Sequence, residues 1–176
     1  GWPSYLNTEP GVVTWTYIHG KGTAFETPFV MPVPWDSVIT SRFASFMKAL
    51  GDHQVSGVAL RDHRVLGNFV FMVPGLGFGP IREQGNEWET AMPGYTREKL
   101  IDAILTDLRA VVNNFPNTHV AVPLYSVTDN VVSPALWEAI RDAILAEFGN
   151  RVSIWHDDLN ANSPQSTDIL LKTVNG

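Results

Sequence analysis

Runs of β-branched and aromatic residues alternate along this chain with stretches whose apolar residues recur at helical spacing. That order constrains the fold more than any other feature, because a strand followed by a helix and a further strand folds as parallel strands with right-handed crossovers. Val12-Val13-Thr14-Trp15-Thr16-Tyr17-Ile18 reads as a first strand, ended by His19-Gly20. A Gly- and Pro-rich loop is expected through Gly22, Pro28, Pro32 and Pro34. Asp36 then caps a helix to Leu50, with Val38, Ile39, Phe43, Phe46, Met47 and Leu50 along it and Gly51 as its stop. Residues 55–66 read as a turn or a short strand. Phe69-Val70-Phe71-Met72-Val73 is a second strand, apolar throughout, as suits a strand covered on both faces.

A long loop over 74–95 separates that strand from a helix capped by Thr96 and running to Asn113. His119-Val120-Ala121-Val122-Pro123-Leu124-Tyr125 forms the third strand. Ser133-Pro134, an N-cap and a first-turn proline, opens a helix that Gly149 ends. Arg151-Val152-Ser153-Ile154-Trp155 is the fourth strand, followed by His156-Asp157-Asp158 and a tail that begins a helix near Ser166. Helix-to-strand joins are short and strand-to-helix joins are long. In α/β proteins the long joins at the carboxyl ends of parallel strands build the site.

The 176 residues suit one α/β domain, with 1–11 and 166–176 peripheral. A small doubly wound sheet would be complete at this length. A (β/α)8 barrel takes about 250 residues, so this chain would be part of one. Twelve basic and 18 acidic residues give a net charge of -6, which disfavours a phosphate-backbone partner, so nucleic acid is not expected. There is no cysteine, which removes disulfides, thiolate metal sites and cysteine nucleophiles. No apolar run reaches membrane-spanning length, so no membrane insertion is expected. Gly1-Trp2-Pro3-Ser4-Tyr5 has neither an initiator Met nor a signal-peptide pattern, so a processed or trimmed chain is expected.

Nucleotide and hydrolase signatures are absent. Gly75-Leu76-Gly77-Phe78-Gly79 follows a strand, but Pro80 and Ile81 break the dinucleotide pattern and no helix starts there. There is no P-loop, no His-Glu-x-x-His and no Gly-x-Ser-x-Gly. No cofactor and no metal are implied. Trp, Tyr and Phe make up 11% of the chain, with six Trp. Such rings serve as core and interface packing, or as platforms for the apolar faces of pyranose rings.

One set of local motifs carries a resemblance. Pro32-Val33-Pro34-Trp35-Asp36 opens a helix, Gly75-Leu76-Gly77 closes a strand, and a Glu follows. Then come Pro93-Gly94-Tyr95-Thr96-Arg97-Glu98-Lys99-Leu100-Ile101-Asp102-Ala103, Phe115-Pro116-Asn117-Thr118 and Phe148-Gly149-Asn150-Arg151-Val152. Over residues 12–165 this resembles the central part of a retaining (β/α)8-barrel glycoside hydrolase of the cellulase-like and β-galactosidase-like superfamily. The resemblance implies a partial TIM barrel, half to five-eighths of the whole, whose four strands correspond to the third through sixth.

It also implies a general acid/base glutamate just beyond the strand over 69–73. Glu83 ranks first there by its position after the glycine-rich turn, and Glu87, preceded by Asn86, is second. Such a carboxyl must be held with a raised pKa beside the glycosidic oxygen. Arg82 would oppose that if it paired with Glu83, and the competing account makes Glu83, Glu87 and Glu89 solvated loop acids. Tyr17, His19, Trp88, Tyr125, Trp155, His156 and Asp157 are candidate substrate-binding residues, each at or past the carboxyl end of an expected strand, as are Trp15, Asp129 and Asp158. Trp15 and Trp155 have core packing as their alternative. Asp157 and Asp158 have a turn or capping role as theirs.

A retaining enzyme needs a second carboxylate about 5 Å from the first. The superfamily places it on the seventh strand, which this chain does not reach. The expectation is therefore a glycoside hydrolase-like domain that acts on or binds carbohydrate and is incomplete alone. A homo-oligomer or a second chain would complete the barrel, since an open half-barrel exposes sheet edges. The alternative is a non-catalytic carbohydrate-binding or assembly protein on the same scaffold, such as a virion or cell-surface subunit, which implies an extracellular or particle-associated setting. His63, within Arg61-Asp62-His63-Arg64, reads as a charged surface turn, and His119 lies at the end of the sheet away from any site.

Overall fold

The structure, a computed structural model, describes residue 5 and residues 8–19, 24–72, 88–124 and 134–155. Its elements in chain order are β1 (Thr14–His19), β2 (Thr27–Pro32), α1 (Ser37–Asp52), β3 (Gln54–Val55), β4 (Val58–Ala59) and β5 (Asn68–Val70). They continue with α2 (Trp88–Ala91), α3 (Arg97–Asn114), β6 (His119–Pro123), α4 (Pro134–Phe148) and β7 (Val152–Trp155). The fold is mixed α/β. A parallel sheet of three strands runs in chain order, β5-β6-β7, with α3 and α4 as its two crossovers.

The register explains the core. Phe69 lies beside Val120, Val120 beside Val152, and Val122 beside Ile154, so these side chains share the sheet face that meets the helices. Leu100, Ile104, Leu108, Val111 and Phe115 form the inward stripe of α3. Leu136, Trp137, Ile140 and Ile144 do the same on α4. All of them belong to one core cluster. The two crossover helices sit side by side, tied by Arg109, which meets both Glu147 carboxylate oxygens at 2.5 and 2.8 Å. On the opposite sheet face, Ala121 is buried, while Val70 and Met72 near the edge are half-exposed.

β6 is buried beyond its first residue, as its apolar run requires. Proline in a central strand normally forfeits a ladder bond. Here Pro123 is the last residue of β6, opposite Trp155 of β7 and past the point where β5 stops. Arg151 closes the other end of the sheet. Its guanidinium donates to the carbonyls of Phe115, Pro116 and Thr118 in the turn that enters β6.

The first strand departs from the expectation. Among the described residues β1 joins no parallel sheet. It pairs antiparallel with β2, from Thr14 opposite Pro32 to His19 opposite Thr27, within the segment expected to be a Gly/Pro-rich loop. Pro28 and Pro32 argue against a central strand, but among the described residues β2 has β1 on one side only, and an edge strand tolerates proline. Only three of the four expected strands are therefore parallel.

Asp36 fastens this hairpin to the body. One carboxylate oxygen caps α1, accepting from the amides of Val38 and Ile39 at 2.9 and 3.3 Å. The other accepts from the Val13 amide at 2.8 Å, and Val33 donates to the Val13 carbonyl at 2.9 Å. Asp36 is buried, so its loss strands a cap and an amide together. Asp36→Ala is expected to lower unfolding free energy by about 2–4 kcal/mol in urea denaturation. A loss below about 0.5 kcal/mol would show that the hairpin base is held by something else.

Gly51 does not stop α1, which continues to Asp52 with His53 as its C-cap. Gly51 is instead buried where α1 crosses α3, and a Cβ there would lie 2.9 Å from the Asn114 carbonyl oxygen. The glycine serves close helix packing. His63 is half-buried, with Nδ1 lacking a hydrogen-bond partner among the described residues, so it is not a fully solvated turn residue.

Candidate functional site

The end of the sheet that bears the long connections can be located from the helices. In the parallel sheet each strand's carboxyl end leads toward the start of the next helix, so α3 begins on that side. The C-terminal end of α1 meets the C-terminal end of α3 at Gly51 and Asn114, so the two helices run in the same direction. Their starts also lie together: Trp35, just before α1, and Tyr95, just before α3, have ring centroids 6.0 Å apart. The base of the β1–β2 hairpin is bonded to the start of α1 through Asp36. The hairpin therefore shares the end of the molecule to which the carboxyl ends of the parallel strands point.

This end carries a distinct polar arrangement. Thr96 caps α3 by accepting from the Lys99 amide at 3.2 Å, and Lys99 Nζ donates to the Gly94 carbonyl at 3.0 Å. The Glu98 carboxyl is held below its usual range by its own backbone amide and then by the Thr96 hydroxyl. Tyr95 Oη donates to Glu89 Oε1 at 3.3 Å. Burial first, and then the Glu89 charge, push the Tyr95 phenol up to about 12, so it stays a protonated donor across the physiological range.

Among the residues named from the sequence, Tyr17 lies within β1, half-buried. Its ring stacks on Phe29 at 5.6 Å and 20°, and is tilted against Trp15 at 6.0 Å. Trp15 is 5% exposed and belongs to the core, which settles its alternatives in favour of packing. His19 ends β1 opposite Thr27, Trp88 is the first residue of α2, and Trp155 ends β7 opposite Pro123. Glu83, Glu87, Tyr125, Asp129, His156, Asp157 and Asp158 lie outside the described residues. The described fragments bring Tyr17 to the carboxyl-end side and place the last residue of β7 on the sheet's carboxyl edge. His119, first in β6, is at the opposite edge.

Sequence reasoning missed the second hairpin strand and with it Phe25 and Phe29, which are 82% and 45% exposed. The signal was present as Phe29-Val30-Met31 between two prolines, a short run with strand propensity that the prolines masked. It also missed the Trp35–Tyr95 contact and the Glu89 partnership of Tyr95.

A shallow groove over Ser37, Val38, Ser41, Arg42 and Ser45 follows one face of α1. Among its described lining residues the charged side chain is Arg42, which is paired with Glu9. Among the described residues no cluster of three or more His, Cys, Asp or Glu could hold a metal ion. No described helix is long and apolar enough to cross a membrane. No protein-family model matches the chain, and no curated protein or solved structure matches it.

Proposed function

We propose that the chain is a glycoside hydrolase-like β/α unit that acts on or binds carbohydrate, with its site at the carboxyl end of the parallel strands. The observation that supports this most is the order β5-β6-β7. The strands are parallel and consecutive, and their crossover helices are packed together on one face. A barrel segment has this arrangement, with the opposite sheet face turned toward the barrel interior. The apolar, half-exposed Val70 and Met72 on that opposite face suit an interior left open on one side. In the barrel reading Glu83 is the general acid/base, with Glu87 second, and Tyr17, His19, Trp88, Tyr125, Trp155, His156 and Asp157 line the substrate path. A second copy or another chain supplies the remaining strands and the nucleophilic carboxylate.

The test is turnover of a panel of aryl glycosides, with native mass recorded on the same sample. Hydrolysis by an assembly larger than one chain supports the reading as stated. A folded, monomeric sample that turns over nothing removes the enzyme and leaves the carbohydrate-binding or assembly form of the scaffold. Binding of oligosaccharide then decides whether that form stands.

A further inference from the structure

Residues 8–19 and 24–52 form a layer of their own. Asp36 bonds the β1–β2 hairpin to the start of α1, and Val33 donates to the Val13 carbonyl, so hairpin and helix hold together without the parallel sheet. The layer is lightly seated on the rest. Of the buried residues described in the core cluster, only Trp15, Val33 and Met47 come from it, with Phe43 and Leu50 half-buried beside them. The others lie at or beyond Phe71. A segment with few buried apolar contacts opens at lower free energy than the core. The layer's broadest seat is the seam between α1 and α3, which Gly51 makes close: a Cβ there would lie 2.9 Å from the Asn114 carbonyl oxygen.

A carboxyl group is buried in that seam. Asp107 lies two turns before Asn114 on the same stripe of α3, and its Oδ1 has no hydrogen-bond partner among the described residues. No described cation is placed to neutralise it. On α1, Arg42 pairs with Glu9, and Lys48 pairs with Asp52, which also holds Arg61. On α3, Arg97 is exposed at the helix start, Lys99 is tied to the Gly94 carbonyl, and Arg109 turns to Glu147 of α4. The strands β5 and β6 bring one ionisable side chain, His119, at the amino end of the sheet. Burial alone raises the Asp107 carboxyl to about 7. A carboxylate formed there needs water, and the seam admits water by parting.

We propose that the α1–α3 seam is a proton-operated latch: neutral Asp107 seats the α1–hairpin layer on the parallel-sheet body, and ionised Asp107 draws water into the seam and frees that layer as a unit. The device stands independently of the carbohydrate reading, and the layer it frees carries the hairpin at the carboxyl end of the parallel strands. In the open layer Asp107 is in water and titrates at its ordinary 3.8. Between pH 5 and pH 7 opening therefore releases a proton, so rising pH favours it, by about 50-fold across that interval. The latch is firmest below pH 4 and weakest above pH 7.

The experiment is hydrogen exchange of the full chain followed by NMR and corrected for intrinsic rates. It is run at pH 5, 6 and 7 in urea below the unfolding transition, on wild type, Asp107→Asn and Asp102→Asn. The amides of α1, with those of Val13 and Val33, are expected to share one opening whose urea slope is smaller than that of β6 and α4. That opening should become about 50-fold more populated from pH 5 to pH 7 in wild type. It should do the same in Asp102→Asn, whose carboxylate on α3 is 76% exposed, and stay level in Asp107→Asn. If α1 exchanges with the slope and free energy of β6, the layer opens only when the whole chain unfolds, and the latch is overturned. A layer opening that ignores pH in wild type, or that responds equally in Asp107→Asn, overturns it as well.

Discussion

Unfolding free energy is expected to fall by about 3–4 kcal/mol between pH 4 and pH 7, through Asp107 alone. Asp107 lies on the stripe of α3 that includes Ala103 and Asn114, and Gly51 of α1 packs against Asn114. Its side chain is buried, and Oδ1 has no hydrogen-bond partner among the described residues. Burial without compensation disfavours the carboxylate and pushes the group up to about 7 from 3.8.

The sign follows from which state binds the proton. Between pH 4 and 7 the unfolded chain has ionised Asp107 while the folded chain keeps it neutral, so folding takes up a proton. Stability from this group is full below pH 4 and is lost as pH rises through 7. Asp107→Asn removes the charge and should raise stability at pH 8 by about 3–4 kcal/mol, with little change at pH 4. Urea denaturation of both proteins at the two pH values isolates the group from every other titration. An Asn variant with the same pH dependence as wild type would show that Asp107 finds a compensating partner.

Glu83→Gln is expected to lower kcat/KM about 10²- to 10⁴-fold on glycosides with poor leaving groups, with Glu87→Gln near wild type. Aryl leaving groups of low basicity need less proton donation, so the loss should shrink as the leaving group improves. The alkaline limb of the pH–rate profile, which reports the acid, should disappear with Glu83→Gln. The opposite ordering of the two variants would move the acid/base role to Glu87. Equal, small losses in both would return these glutamates to solvated loop acids.

The helices were legible in the sequence because their signals are local. Asp36 and Thr96 each accept from amides two or three residues on, and the inward stripe from Leu100 to Phe115 follows helical spacing. The strands β5, β6 and β7 were legible for the same reason, as short runs rich in β-branched and aromatic residues between turn residues. What could not be read locally was pairing. A strand pattern does not say which strand it joins, so β1 was expected beside the parallel strands. Its true partner β2 was hidden by Pro28 and Pro32, which are tolerable only because that strand is an edge. Gly51 misled likewise. Near a helix end a glycine reads as a stop, and its actual constraint, the Asn114 carbonyl oxygen, is 63 residues away in the chain.

At the candidate site, the residue types were legible and their grouping was not. Tyr17 and Trp15 were both named from their place near a strand end, yet one ring reaches the hairpin surface and the other fills the core. Strand alternation alone cannot separate them, since residues two apart share a face. Depth along that face decides, and it is set by the hairpin leaving the body at Asp36.

The measurement that tests the account most directly is residue-resolved NMR of the full chain titrated with a neutral oligosaccharide. The account expects amide shifts along the hairpin, at Tyr17 and His19, and in the segments that follow β5, β6 and β7, including Glu83 and Asp157. The opposite edge, at Phe115, His119 and Arg151, should stay unchanged. Shifts confined to that opposite edge, or none with any neutral oligosaccharide, would contradict a carbohydrate site at the carboxyl end of the parallel strands.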